Sequence, residues 1–449
     1  MTDQLDVLIE ELNQKLNSEY GTDEALFKRL IDIQRELGLL YGDRPTCPLL
    51  RPHFLSRRQY DEIAFAAETI AQAAETLTYA ALKDEELLNR FDLTDQERRL
   101  VRVNPGYKNI CATSRLDTFV AGEEFKFLEY NAETPAGVGD QSQLEEVLEK
   151  IPLVEDFLSE NEHWRPKPHR KLIESLVTCY REFGGKKRKP NIAIVDWKGV
   201  STEAEFFILK DFFERKDFKT RVLDPSELEY NGENLHSGEF EIDILYKRVL
   251  IHEFLERCDD NHPIIQAYVD GHLCICNSFR VKIPHKKMSF AIMSDDRYSG
   301  LFTDAQLKII RRHIPWTRKV EDAKTTFEGG AIDLLEYLQA NRESFLLKPN
   351  DDYGGKGIIM GWEASSSLWE KALDEALNDS FVVQQKVPIE KKVFPVFDTK
   401  ISNLELLVDF DPFLFQNKVE GGLVRLSSSS LVNVTQGGGQ TALIVLEDL

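Results

Sequence analysis

The chain has 449 residues and a net charge of −21, from 56 basic against 77 acidic side chains. That balance excludes nucleic acid and anionic membrane as principal partners, and no run of ~18 apolar residues offers a membrane-spanning helix. Hydrophobic content of 42% and charged content of 30% are those of a globular protein, and the length allows a large core spread over two or three lobes.

The N-terminus, MTDQLDVLIEELNQKL, is charged and helical in pattern and has no signal-peptide profile. Residues 3–40 and 56–98 read as amphipathic helices, with apolar residues at i, i+3, i+4, divided by the Pro-punctuated loop 45–54. The segment 115–137, RLDTFVAGEEFKFLEYNAETPAG, reads as two strands around a turn at Gly122. With a three-residue loop over 122–124, Ala121 faces Phe125, Asp117 faces Glu129 and Arg115 faces Asn131. These four polar residues all have odd numbers and share one face of the hairpin. Asp117, Glu129 and Asn131 then make a hard oxygen site suited to Mg²⁺. The alternative is a solvated face. Phe119, Phe125 and Phe127 argue against it, because on this register they share the parity of the acids and would be exposed.

A helix is expected through QSQLEEVLEKI, and a second, KLIESLVTCYREFG, after Pro166 and Pro168; the basic turn GGKKRKP ends it. Residues 191–285 alternate strand and helix: NIAIVDW, TEAEFFILKDFFERK, KTRVLD, EIDILYKRVL, HLCICNSFR. Such alternation predicts a parallel sheet with ligands beyond its C-terminal strand ends. Arg248 stands at one of these ends, a candidate for an acidic substrate group or an exposed basic strand end. The six cysteines at 47, 111, 179, 258, 274 and 276 include one C-x-C pair in an apolar run, which reads as reduced core thiols rather than a metal site. A cytoplasmic location is expected from them. A helical region follows over 287–342, with Arg318 and Lys319 in PWTRKV.

In FLLKPNDDYGGKGIIMG, 345–361, an apolar strand ends at Lys348 and breaks into a loop with Gly354, Gly355 and Lys356. Such a loop can press backbone N–H groups against phosphate oxygens while a lysine offsets their charge. It is neither a Walker A loop nor a dinucleotide fingerprint, and a plain hairpin is the alternative. After a helix over SSLWEKALDEAL comes the strand FVVQQKV, 381–387. The last stretch carries Arg425 in an apolar strand, four serines, Asn433 and Gly437 to Gly439, which either admit a ligand's close approach or cap a hairpin.

Taken together, these segments resemble the ATP-grasp superfamily, and within it the circularly permuted branch that includes glutathionylspermidine synthetase. The matching motifs are Arg-x-Asp at 115–117, Glu-Tyr-Asn-Ala-Glu-Thr-Pro at 129–135, Lys-Pro at 348–349, GGKG at 354–357, VVQQKV at 382–387 and GGLVRLSSSSLVNVTQGGG at 421–439. The acidic hairpin precedes the lysine loop, which is the permuted order. The resemblance implies an α/β (α+β) ATP-grasp fold with an N-terminal helical region over 1–100. Magnesium-binding core strands are implied over 101–185, a pre-ATP-grasp α/β domain over 186–286, and lid, hinge and closing strands over 287–449. It implies ATP and two Mg²⁺ ions, with nucleotide held by Lys348, Gly354, Gly355, Lys356, the hinge 384–387 (Gln384, Gln385, Lys386, Val387), and a basic residue, either Arg318 or Lys319, with Lys319 as the candidate. Arg115 and Arg425 would steady the transferred phosphoryl group; Arg248 and Asn433 are candidates for substrate binding. The activity implied is ATP-dependent ligation of a small-molecule or peptide carboxylate to an amine through an acyl phosphate. A phosphotransferase and a non-catalytic nucleotide-binding partner are the alternatives. No amidase-type Cys/His arrangement precedes the hairpin, so glutathione and spermidine are not implied.

Overall fold

The computed structural model describes residues 4–21, 23–352, 354–397, 400–428 and 438–447. Its centre is a six-stranded antiparallel sheet. In spatial order run Gly439–Thr441, Lys418–Ser427, Ile401–Phe415, Thr113–Ala121 and Glu124–Asn131, with Lys391–Phe397 paired to the first half of Ile401–Phe415. Four of these strands come from the last sixty residues, so the early hairpin is inserted beside the end of the chain. The helix Arg57–Ala81 packs against this sheet. Its buried Ala66, Ala67, Ala71, Ala73 and Ala74 carry almost no side-chain bulk and permit a close approach. It starts at a capping box in which Ser56 and Gln59 satisfy each other's backbone N–H.

The expected parallel sheet is present, in the order Cys274–Cys276, Ile244–Lys247, Ile192–Val195, Thr220–Leu223. The strand Ile192–Val195 is buried at every residue, as a parallel strand covered on both faces must be. The lysine segment lies in a four-stranded antiparallel sheet ordered Thr317–Lys319, Phe381–Gln385, Phe345–Pro349, Ile359–Met360. A fourth, small sheet sets Leu443–Leu446 between His53–Ser56 and His163–Trp164.

Three expectations need correction. The N-terminal helices are divided into Gln4–Tyr20, Glu24–Glu36, Arg57–Ala81, Glu85–Asn89 and Asp95–Val101, each restarted by a capping side chain such as Asp23, Asp84 or Thr94 where one is formed. The region 287–342 is not wholly helical: it holds the strand Thr317–Lys319 and a hairpin over 324–333. The hairpin at 113–131 turns on two residues, so that Ala121 faces Glu124 rather than Phe125. A β-bulge at Leu128 then restores the register, and Asp117 faces Glu129 and Arg115 faces Asn131 as expected. The bulge also reverses the parity of the outer residues. Phe125 and Phe127 point away from the acids into the core, and only Phe119 shares their face.

All six cysteines are free thiols, five of them buried. No helix among the described residues is long and apolar enough to cross a membrane.

Candidate functional site

One cavity of about 760 Å³ opens where the central sheet, the C-terminal ends of the parallel strands and the lysine-bearing sheet meet. The two antiparallel sheets contribute side chains that strand alternation aims inward, and the third wall contributes side chains from helix starts and strand ends.

The central sheet supplies a carboxylate row. Arg115 donates from Nε to Asp117 Oδ1 at 2.9 Å, and Asn131 Nδ2 donates to Asp117 Oδ1 at 2.7 Å and Glu129 Oε1 at 3.2 Å. The neighbouring strand adds Asp409 and Asp411 to the same face. Arg425 sits among these acids, with Nη2 2.7 Å from Asp117 Oδ2, 2.6 Å from Asp409 Oδ2 and 2.8 Å from Asp411 Oδ2. Asp411 is anchored a second time, because Oδ1 accepts the Thr118 backbone N–H, which lies beside the bulge. Burial raises the Asp117 carboxyl, but the Arg115 and Arg425 guanidiniums override it and hold it well below the carboxylate range. Asp409 and Asp411 are not so compensated. Burial pushes Asp409 up to about 6 and Asp411 well above its ordinary value, against the pull of Arg425.

The opposite wall supplies cations. Lys348 is buried and donates to Gln384 Oε1 at 2.8 Å and to the Leu128 carbonyl at 3.3 Å, the carbonyl of the bulge residue. Gln384 donates to the same carbonyl at 3.1 Å. The bulge thus provides the acceptor that fixes lysine and amide over the acidic hairpin. Burial lowers the Lys348 ammonium to about 8, against the pull of Glu129. Lys287 reaches Glu129 Oε2 at 3.4 Å and the Asp352 carbonyl at 2.7 Å. Gly354, Gly355 and Gly357 all have positive φ, which their lack of a Cβ permits, and the first two line the cavity.

The third wall lies beyond the parallel strands. Arg248 Nη2 meets Glu205 Oε2 at 3.3 Å and Nη1 donates to the Pro135 carbonyl at 2.8 Å. Glu205 Oε1 accepts from the amides of Gly137 and Gly139. Beside them, burial and the Glu205 charge raise Asp140 to about 7, and burial raises Asp196 to about 6.

Thirteen of the sequence-derived candidates line this one cavity: Arg115, Asp117, Glu129 and Asn131 on the hairpin, Arg248, Arg425, Lys348, and the pairs Gly354–Gly355, Gln384–Gln385 and Lys386–Val387. Lys319 does not. Its ammonium is drawn off by Asp92, whose two oxygens both lie at 2.7 Å, and Arg318 is buried on Ser294 and Thr317. Lys287, which was not among the candidates, is the lysine that lies against Glu129. Lys356 is exposed and stands off the cavity wall. The Gln385 and Lys386 backbone amides donate to the Trp316 and Ser344 carbonyls. Asn433 lies outside the described residues.

Sequence reasoning missed Asp409, Asp411 and Lys287. The D-x-D alternation inside LLVDFDPFLF was the available signal, since two acids on one face of an apolar strand need a counter-charge. For Lys287 the signal was two lysines entering the apolar run MSFAIM.

No family model matches this chain, and no curated protein matches it either. Solved structures do. A glutathione synthetase-like effector from Globodera pallida in apo form is similar over 95% of this chain and 98% of its own, with a TM-score of 0.63 at 12% identity. A protein assigned as a γ-glutamylcysteine synthetase from Methylobacillus flagellatus KT covers 88% of this chain and 90% of its own, at 11% identity and a TM-score of 0.45. The ATP-grasp ligase PsnB, in complex with a minimal precursor, covers 57% of this chain and 90% of its own, at 11% identity and a TM-score of 0.30. The first of these shows that the chain shares the fold of a glutathione synthetase-like protein.

Proposed function

We propose that this chain is an ATP-dependent carboxylate–amine ligase of the ATP-grasp type, in circularly permuted order, acting through an acyl phosphate. The observation that carries this reading is the carboxylate row of Asp117, Glu129 and Asp409 set across one cavity from buried Lys348 and a positive-φ glycine pair.

The residues fit the groups this activity requires. Mg²⁺ would be held by Asp117, Glu129 and Asn131, with Asp409 beside them, and would offset the charge of the phosphates. The raised Asp409 and Asp411 carboxyls mark a place short of positive charge. Lys348 and Lys287 would take the outer phosphates, and the Gly354–Gly355 backbone can lie close against them.

In the first step a substrate carboxylate oxygen bonds to the γ-phosphorus as its bond to the β-bridging oxygen breaks, giving an acyl phosphate and ADP. Arg115 and Arg425 face the charge that grows on the transferred group. In the second step an amine attacks the acyl carbon, and phosphate leaves with the bonding pair. Asp140 and Asp196 suit an amine arriving at the far end, where Arg248 and Glu205 already neutralise each other.

The test is ADP release against a panel of amino acids, peptides and polyamines, with and without added amines. Release that requires both a carboxylate and an amine, with a product lighter than their sum by one water, supports the ligase. A phosphorylated single substrate makes the protein a phosphotransferase; no nucleotide binding at all refutes both.

A further inference from the structure

Behind the cavity, three segments converge on one buried ammonium. Lys282 lies on the short helix Lys282–His285 and is fully buried. Its Nζ stands 2.8 Å from Glu133 Oε1 and 2.7 Å from Asp351 Oδ1. Lys286, one turn on, reaches the other Asp351 oxygen at 3.2 Å and Glu97 Oε2 at 3.1 Å. The second Glu133 oxygen accepts the Ile251 backbone N–H at 2.7 Å, at the start of a helix beyond the parallel strand Ile244–Lys247.

The positions of these partners along the chain give the network its meaning. Glu133 is two residues past Asn131 on the acidic hairpin. Asp351 is three residues past Lys348 and three before Gly354. Lys282 therefore bonds the root of the glycine loop to the root of the carboxylate site. The neighbouring Asn350 is held as well, its carbonyl by the Lys287 amide and its Oδ1 by the Met288 amide. Glu133, His285 and Asp351 offer ligand atoms within 4.8 Å of one another, a spacing that a metal ion could use. The Lys282 ammonium already lies against two of these three, so the cation of this cluster is the lysine.

A buried ammonium between two carboxylates gives little net stability, because desolvation offsets most of the attraction. What such a cluster does supply is fixed geometry, since one carboxylate cannot move without uncovering the other. We propose that Lys282 is a positioning residue: it sets the glycine loop at a fixed height over the acidic hairpin, so that phosphate-binding lysines and metal-binding carboxylates present themselves as one site. This rests on the nucleotide-binding function proposed above.

Two measurements separate this proposal from that function. The first is hydrogen exchange on nucleotide-free protein. Lys282→Met should raise exchange in both 131–137 and 354–360, two segments that share no strand. The second is ATP affinity with Mg²⁺, which should fall about tenfold or more. Asp351→Asn, whose carboxylate is nearer the surface, should reproduce both effects and decides the matter if Lys282→Met does not fold. The double variant should be no worse than the more affected single one. Faster exchange in one segment alone, or normal ATP affinity in a folded variant with only a lowered Tm, overturns the proposal. A wild-type protein that binds no nucleotide refutes the functional reading instead, and the exchange arm still reports whether the two segments are tied.

Discussion

Asp409 offers the clearest energetic test of the site. Its side chain is buried, and burial raises its carboxyl to about 6 from an ordinary 3.8, even though Oδ1 and Oδ2 both accept hydrogen bonds from Arg425. A folded-state value above the unfolded one means that, between about pH 4 and 6, the folded protein holds a proton the unfolded chain has released. Stability therefore falls as pH rises through that window, by ~3 kcal/mol in total, and the full penalty stands above about pH 6. Asp409→Asn removes the titration. It also sets an amide N–H against the Arg425 donors, a cost that does not depend on pH. The slope is thus diagnostic where the absolute stability is not. Urea unfolding of both proteins in metal-free buffer at several pH values should show the Asn variant gaining on wild type by ~3 kcal/mol between about pH 4 and 6. A flat difference, or wild type gaining as pH rises, would refute the view that Arg425, shared among three carboxylates, leaves this one under-compensated. If that charge comes from Mg²⁺ in the working enzyme, added Mg²⁺ should stabilise wild type more than Asp409→Asn.

Other outcomes follow from the same geometry. Glu129→Gln should abolish Mg-dependent ATP turnover while the far-ultraviolet dichroism stays native, since the change is nearly isosteric; ordinary turnover would remove Glu129 from the metal shell. Lys348→Ala should weaken ATP binding in calorimetry. In wild type that affinity should fall as pH rises through about 8, where the buried ammonium loses its charge, and Lys348→Arg should flatten the profile. Arg425→Ala should be unstable, because it leaves three carboxylates facing one another. Arg425→Lys is the better kinetic probe, with kcat expected to fall about a hundred- to thousandfold and KM for ATP little changed, the size of one preorganised contact.

Much of this arrangement was legible because strand alternation is a local property. The odd numbering of Arg115, Asp117, Glu129 and Asn131 places them on one face in any register that pairs 117 with 129. The turn length was read wrongly and the bulge corrected it, so the acids were placed rightly while Phe125 and Phe127 were not. No feature of the string announces a bulge at Leu128, and the two side chains that use its carbonyl, Lys348 and Gln384, lie more than two hundred positions away. The same holds for Arg425. In sequence it looks like a lone charge in an apolar strand, yet Asp409, its direct cross-strand partner, is sixteen residues earlier in the paired strand. Lys319 lies off the cavity for a related reason: its ammonium follows Asp92, a neighbour that only the fold brings near. The parallel sheet was the easiest part to read, since the buried run IAIV is followed by the helix Glu203–Glu214 and a second strand, although small antiparallel strands fill the interval before Ile244–Lys247.

The ligase account stands most directly on where the oxygen of the substrate carboxylate goes. Turnover with carboxylates labelled with ¹⁸O, followed by the mass of the inorganic phosphate released, reads that transfer. An acyl phosphate broken by an amine predicts one labelled oxygen in the phosphate and one left in the amide. Unlabelled phosphate, or label retained in full by the acceptor, would mean that the carboxylate never attacked the γ-phosphorus, and that the cavity serves some other transfer.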